Sequence, residues 1–288
     1  MPDPLLYTQA FFAASAIGAL LSLLIGWACR AKNASRGDIA CIVAIAAAHA
    51  VGYCVLQLRI GWPPASALDR WIVVLLPAVL IVELFACAKR VPQLTGMILR
   101  LLLAASIGRI LLHGSVYMQG NDVWKTYASL VLCAALTGAA WLLLVKLHER
   151  SPGISISLSL ALAIQCAGVS IMLAGYLKGG AAAIIATAAL FGATLAQLRP
   201  TSPSLIGVGV ASLASMLTIG VYFGRLPPLS ALALACTPLF CLTTEIPWLK
   251  KQRAWIVGTT PLILVALVGA IVLLYAKHKF DLEMAPLL

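Results

Sequence analysis

The chain alternates between long apolar runs and short polar connections. An α-helix needs about 20 apolar residues to cross the hydrocarbon core of a bilayer, and the runs are of that length. They are continuous and lack the alternation of a membrane barrel strand. We therefore predict an all-α fold, a polytopic transmembrane helix bundle of about ten spans with short loops. The ten runs are Leu5–Ala28, Ile39–Leu58, Trp71–Ala88, Gly96–His113, Thr126–Val145, Ile154–Tyr176, Ala181–Leu198, Ser204–Phe223, Leu229–Ile246 and Ala254–Ala276.

Composition supports this interpretation. Hydrophobic residues make up 62% of the 288 residues, and only 10% are charged. A soluble domain carries about 25% charged residues, and it could not hide this much apolar surface. The composition therefore excludes a soluble enzyme, a disordered chain and a nucleic-acid-binding domain. We expect an integral membrane protein whose first partner is the lipid bilayer. In a bacterial cell, we expect it in the inner membrane.

Lysine and arginine positions predict the orientation. The loops after the odd-numbered spans hold 11 of these residues, and the opposite side holds 7. Because cytoplasmic loops carry the excess of basic residues, the odd loops are predicted to be cytoplasmic and both termini to lie on the outer side. The formal net charge of +11 has the same explanation.

The fourth run is the doubtful span because it contains two arginines, Arg100 and Arg109. If it did not cross, nine spans would remain. Nine positions correspond to about 900° of helix, which places the two arginines on opposite faces. A helix lying on the membrane surface would gather its charges on one face, so we favour ten spans.

We expect one integral membrane domain over residues 1–288. Ten spans divide into five plus five, near 1–150 and 151–288, but no repeat is visible between the halves. Pro77 and Pro238 interrupt the third and ninth runs and should disturb both helices. The eight cysteines lie in or beside apolar runs without a Cys-x-x-Cys pair, which favours small buried hydrophobes over disulfides.

Small residues recur at every fourth position in the first two runs, and such stripes let helices approach closely in lipid. Packing within the chain is the simpler use. A protein partner or a homo-oligomer face is the alternative. The two stripes consist of Ala14, Gly18, Ser22 and Gly26, and of Ala40, Ala44, Ala48 and Gly52.

Ionisable groups inside a membrane are costly and become candidates for function. Only two acids lie inside the runs, Glu83 and Glu245, and Glu245 is close enough to Lys250 to reach the interface. Glu83 and Arg100 are equidistant from the connection between the third and fourth runs. They should lie at the same depth and pair. The pair either locks two helices together or belongs to a working site.

A polar path is predicted across spans two to four. His49 lies about 4.5 Å of helix rise from the depth of Glu83, so that a cluster of His49, Glu83 and Arg100 is allowed. His49 and Tyr53, with Gln57, follow an i, i+4, i+8 spacing. Such a path would serve a proton or an anionic solute.

The same spacing recurs in span four, where Arg109 and His113 precede Tyr117 toward the outer rim. The alternative to a path is a satisfied core histidine and an arginine that reaches lipid phosphate.

Three functions remain open. We favour a carrier or permease for a small solute, anionic or proton-coupled. The second is a non-catalytic membrane subunit, assembly factor or scaffold. The third is a membrane enzyme acting on a lipid-linked substrate, with Arg109 and His113 at a phosphate, and the scarcity of acids argues against it. The sequence contains no phosphate loop, no zinc motif and no acidic cluster, so we expect no catalytic residues, no metal and no cofactor.

Overall fold

The computed structural model describes residues 4–29, 35–88, 91–119, 123–151, 153–197 and 202–284. These segments are helical over most of their length and contain no strand. Nine helices among them are long and apolar enough to cross a membrane. The chain is therefore an all-helical membrane protein of many spans, as the sequence predicts.

Each of the ten predicted runs lies in helix over most of its length. The third run differs because it is helical in two successive pieces, a π-helical turn and a short α-helix, so that no single helix there reaches the length of a span. The count of ten spans and the outward position of the termini stay predictions. The helices are α1 Pro4–Cys29, α2 Ser35–Val55, α3 Ala67–Arg70, α4 Leu76–Ala86, α5 Gln93–Leu111, α6 Val123–Arg150, α7 Ser155–Leu173, α8 Leu177–Leu195, α9 Pro203–Phe223, α10 Pro228–Cys236, α11 Pro247–Lys250 and α12 Ala254–Met284.

Both predicted prolines change the local helix type. A turn of π-helix, Trp71–Leu75, joins α3 to α4 just before Pro77. Proline has no N–H and its ring crowds the carbonyl four residues earlier, and the wider turn relieves that crowding. At Pro238, the helix α10 passes into 3₁₀-helix over Thr237–Glu245, where the missing N–H of proline removes one α-helical hydrogen bond.

The helix α9 lies at the centre of the bundle. It packs against α2, α4, α5, α6, α7, α8 and α10. Its apolar stretch is 89% buried, whereas those of α1, α6 and α12 are 22% buried. The peripheral helices therefore present many of their apolar side chains to lipid.

The two small-residue stripes pack inside the chain except at Gly26, where an added Cβ atom would meet nothing within 4 Å. The helix α1 lies between α2 and α8, and a Cβ atom added at Gly18 would touch the backbone of α8 and the side chain of Ala48. At Gly192 on α8, an added Cβ would overlap the backbone of Ser15. Close backbone approach is what such stripes allow in lipid.

The cysteines divide between interior and surface. The seven whose side chains the structure describes are free thiols. Three are buried, as expected: Cys41, Cys166 and Cys241. The expectation of burial is wrong for three others, which are exposed on the surface of the bundle: Cys54, Cys133 and Cys236.

Candidate functional site

His49 lies on α2 about 9 Å of helix rise before its end, and its side chain is only 2% exposed. Its Nδ1 lies 2.9 Å from the carbonyl oxygen of Ile45, one turn earlier. Since a carbonyl oxygen can only accept, Nδ1 carries the proton and the neutral ring presents Nε2 as an acceptor. That Nε2 has no hydrogen-bond partner among the described residues.

A groove of about 660 Å³ runs along this part of α2, between α2 and α4. His49 and Tyr53 line it from α2, and Leu76 and Leu80 line it from α4. Ala50, Cys54 and Pro77 also line the groove and are exposed on the outer faces of their helices. The groove therefore opens sideways toward lipid, and one buried polar ring forms part of its wall.

Tyr53 adds a second polar group to the wall. Its ring centroid is 6.3 Å from that of His49, and the residue is 5% exposed. The hydroxyl lies beside the fully buried indole of Trp71. Neither the hydroxyl nor the indole Nε1 makes a hydrogen bond of standard geometry within the described segments. The hydroxyl and the indole are thus two buried polar groups that lie next to each other behind the groove lining.

The mouth of the groove lies just after α2 ends. Gln57, Arg59 and Ile60 line it there. Gln57 adopts a left-handed backbone with a φ of 51°, which is unfavourable for a residue with a side chain. After this turn the chain continues along the end of the groove, and the exposed Arg59 is one of the lining residues there.

The turn of π-helix shapes the opposite wall. Ile72 of that turn lines the groove, and so does Pro77 at the start of α4. Turns of this type are frequent at functional sites, because they shift the helix face by part of a turn. The break in the third run is thus part of the groove itself.

Glu83 and Arg100 form a buried ion pair that joins α4 to α5. Arg100 donates from Nε to one carboxylate oxygen and from Nη2 to the other, both at 2.7 Å. Glu83 is 0% exposed and Arg100 is 7% exposed. The pairing expected from equal depth is therefore confirmed.

The ion pair is packed against the central helix. A Cβ atom at Gly207 on α9 would overlap the Glu83 carboxylate, and the indole of Trp141 lies beside it. Neither member of the pair lines the groove, and no hydrogen bond joins His49 to either in the segments the structure describes. The geometry is that of a closed structural contact.

Arg109 and His113 lie elsewhere, near the end of α5. Both are exposed, and Arg109 donates from Nη1 to the Tyr127 hydroxyl at 3.0 Å. Neither lines the groove. The structure thus brings together His49 with Tyr53 and Glu83 with Arg100, and it leaves Arg109 and His113 at the surface.

Other polar candidates have local structural partners. Glu245 accepts from Lys250 at 2.8 Å and from Ser151 at 2.8 Å. Gln197 accepts from the backbone N–H of Ser202 at 2.8 Å and so ties the end of α8 to the start of α9. No group of three potential metal-binding side chains occurs within the described ranges.

Sequence reasoning missed three features of this region: the proximity of Trp71, the position of Arg59 and the space left by Gly207. The first two features have a signal in the sequence. The helix α2 ends at Val55, and a chain that turns back there must pass close to the end of that helix. Gly207 carries no such signal, since its role depends on a side chain that reaches it from another helix. No known family model and no curated protein matches the sequence. The fold and the groove alone define the class, a many-spanning helical membrane protein with a lateral groove.

Proposed function

We propose that this protein is a carrier for a small solute, anionic or proton-coupled, and that the solute binds in the groove between α2 and α4. In a bacterial cell its place would be the inner membrane. The observation that carries the proposal is the unpartnered Nε2 of His49, a buried acceptor beside an open groove of about 660 Å³. Pockets of about 300–1,000 Å³ with a few convergent polar groups are typical of small-molecule sites.

The packing of the small-residue stripes and the position of the groove support a carrier over the two alternatives. The small-residue stripes of α1 and α2 are occupied by contacts within the chain, which weakens the argument for a scaffold built on them. The lateral opening lies beside His49, whereas the enzyme hypothesis places it beside Arg109. The carrier hypothesis requires a water-accessible cavity at His49 or Glu83, and the groove supports it by its position beside His49.

Within this proposal, the Glu83–Arg100 pair keeps α4 and α5 in a fixed relative position while α2 moves. An intramembrane ion pair with both oxygens satisfied holds α4 and α5 together while a neighbouring helix shifts. Arg109 and His113 would meet the solute or lipid phosphate at the surface, outside the groove.

Cys54 provides a natural reporter for the first test. Its thiol is free, exposed and part of the groove lining. We expect a charged, water-soluble methanethiosulfonate to modify Cys54 in membrane vesicles, because a carrier site must meet water on at least one side. Cys133, exposed on α6, is the matched lipid-facing control and should resist the reagent. Equal resistance of both thiols would exclude a water-accessible carrier site.

Transport itself is tested in proteoliposomes loaded with a panel of radiolabelled small anions. Uptake of at least one anion above empty vesicles is expected, with loss of at least tenfold in His49→Ala. The exposed His278→Ala serves as the matched control and should transport normally. Uptake that His49→Ala leaves unchanged would refute the proposed site.

A further inference from the structure

We infer that one rim of the bundle binds the headgroup of an anionic phospholipid. This basic rim consists of residues 246–255, which connect the 3₁₀-helix to α12, and of Arg150 at the end of α6. The lipid phosphate would lie among the side chains of Arg150, Lys251 and Arg253. The basic rim is separate from the groove between α2 and α4, so this inference does not depend on the proposed function.

The two parts of the basic rim meet at one carboxylate. Ser151 donates to one oxygen of Glu245 at 2.8 Å, and Lys250 donates to the other at 2.8 Å. Ser151 and Glu245 are 94 residues apart in sequence. The guanidinium of Arg150 is close enough to interact electrostatically with the same carboxylate. Two connections from distant parts of the chain therefore form one charged surface.

This surface has an excess of positive charge. Its acid, Glu245, pairs with Lys250. The neighbouring Glu149 accepts a hydrogen bond from Gln93 at 3.0 Å and so lies toward the start of α5. Three further cations are exposed and make no ion pair within the part of the chain that the structure describes: Arg150, Lys251 and Arg253. Because guanidinium groups bind phosphate oxygens through paired hydrogen bonds, these cations suit a phosphate group.

Two exposed tryptophans place the basic rim at the level of the lipid headgroups. Trp248 is 70% exposed and Trp255 is 64% exposed, whereas Leu249 is buried and holds α11 against the bundle. Indole rings on membrane proteins favour the interface between acyl chains and headgroups. Lys251 and Arg253 lie between these two rings in the sequence, so their charges reach the phosphates of the adjacent lipids.

The same features favour a lipid over a free phosphate. A free phosphate would gain the charge interaction alone, whereas a phospholipid also packs its acyl chains against the apolar surface beside the tryptophans. The basic rim lies on the side that the lysine and arginine count predicts to be cytoplasmic. Anionic phospholipids of that leaflet attract basic segments next to a span, by about fivefold in affinity per basic residue.

The direct test is native mass spectrometry of the full-length protein in detergent with added lipid. Phosphatidylglycerol should bind at least tenfold more tightly than phosphatidylcholine with the same acyl chains. Equal binding of the two lipids would show a surface for acyl chains alone and would overturn the inference. Excess glycerol phosphate should leave phosphatidylglycerol bound, since it lacks the acyl chains. Displacement by glycerol phosphate would indicate a site for free phosphates and would overturn the assignment to a lipid.

Charge-neutral variants locate the bound headgroup. The double variant Lys251→Gln with Arg253→Gln should weaken phosphatidylglycerol binding about tenfold and leave phosphatidylcholine binding unchanged, which also shows that the variant is folded. Arg150→Gln should weaken phosphatidylglycerol binding several-fold. Binding that Arg150→Gln leaves unchanged would overturn a surface shared by the two connections.

A matched control removes the same charges from the other end of the bundle. Lys277 lies about 35 Å of helix rise from the start of α12, and Arg225 follows the end of α9; both are exposed. The double variant Lys277→Gln with Arg225→Gln should keep the full preference for phosphatidylglycerol. Equal losses in the two double variants would show attraction by net charge alone and would overturn the basic rim as a binding surface.

Discussion

Arg100 holds Glu83 by two parallel hydrogen bonds of 2.7 Å, and Gly207 on the central helix leaves the space that the Glu83 carboxylate fills. The pair joins α4 to α5, and Gly207 places both against α9. Three helices therefore meet at one buried polar contact.

Removing one member of the pair should cost far more than removing both. Arg100→Gln strands a buried carboxylate and should lower the free energy of unfolding by about 3–5 kcal/mol, and Glu83→Gln should have a similar cost. The double variant should lose less than the sum of the two. Thermal unfolding of detergent-purified protein measures all three, and additive losses would show that the two side chains are not coupled.

Gly207→Ala should be destabilising although alanine is the better helix former. Its methyl group would overlap the Glu83 carboxylate, which Arg100 holds in place, and such overpacking costs about 1–3 kcal/mol. The same unfolding assay measures the loss. In a background that already carries Glu83→Ala, the overlap is gone and Gly207→Ala should become neutral or stabilising; an undiminished loss would place the clash elsewhere.

The contact of α1 with α8 can be tested at two glycines. A Cβ at Gly192 would overlap the backbone of Ser15, which no side-chain rotation relieves, so Gly192→Ala should cost about 1–3 kcal/mol. At Gly26 the new Cβ would meet nothing within 4 Å. Gly26→Ala should therefore leave stability unchanged or raise it by about 0.5–1 kcal/mol. Similar losses at both positions would contradict this packing.

Asp69 should contribute stability that depends on pH. Partial burial raises the pKa of the Asp69 carboxyl. Hydrogen bonds from Ser66 and from the N–H of Gly61 outweigh this effect and hold the pKa below its usual value. The carboxylate and Ser66 together cap α3. A lowered pKa in the folded state means that the contribution is complete above the ordinary Asp pKa of about 3.9 and is lost as pH falls through the folded-state pKa.

Asp69→Asn measures this contribution. The wild type should exceed the variant in unfolding temperature near neutral pH, and the difference should shrink once the pH falls below the ordinary Asp pKa. Asp281→Asn, at an exposed position on α12, controls for the loss of one acidic group. A difference that stays constant through the acid range would show that Asp69 acts through packing and not through its charge.

Equal depth in a hairpin was enough to predict the Glu83–Arg100 pair, because helix rise and loop length determine which residues share a level. The same reasoning placed His49 near that level. It could not tell which way each side chain points around its helix. The structure turns His49 toward the groove and Glu83 toward α9, which separates the predicted cluster of three into two contacts.

Hydrophobic pattern and composition determined that the chain lies in a lipid bilayer and that its fold is all-helical. They also determined the positions of nearly all helices, since a chain crossing lipid must satisfy its backbone hydrogen bonds locally. The tertiary structure alone decided which helix lies at the centre, where Gly207 leaves room, and that His49 and Tyr53 border a groove. Those features depend on helix rotation and on contacts between residues far apart in sequence. Lipid imposes little preference on them, because an apolar side chain is equally at home against lipid or protein.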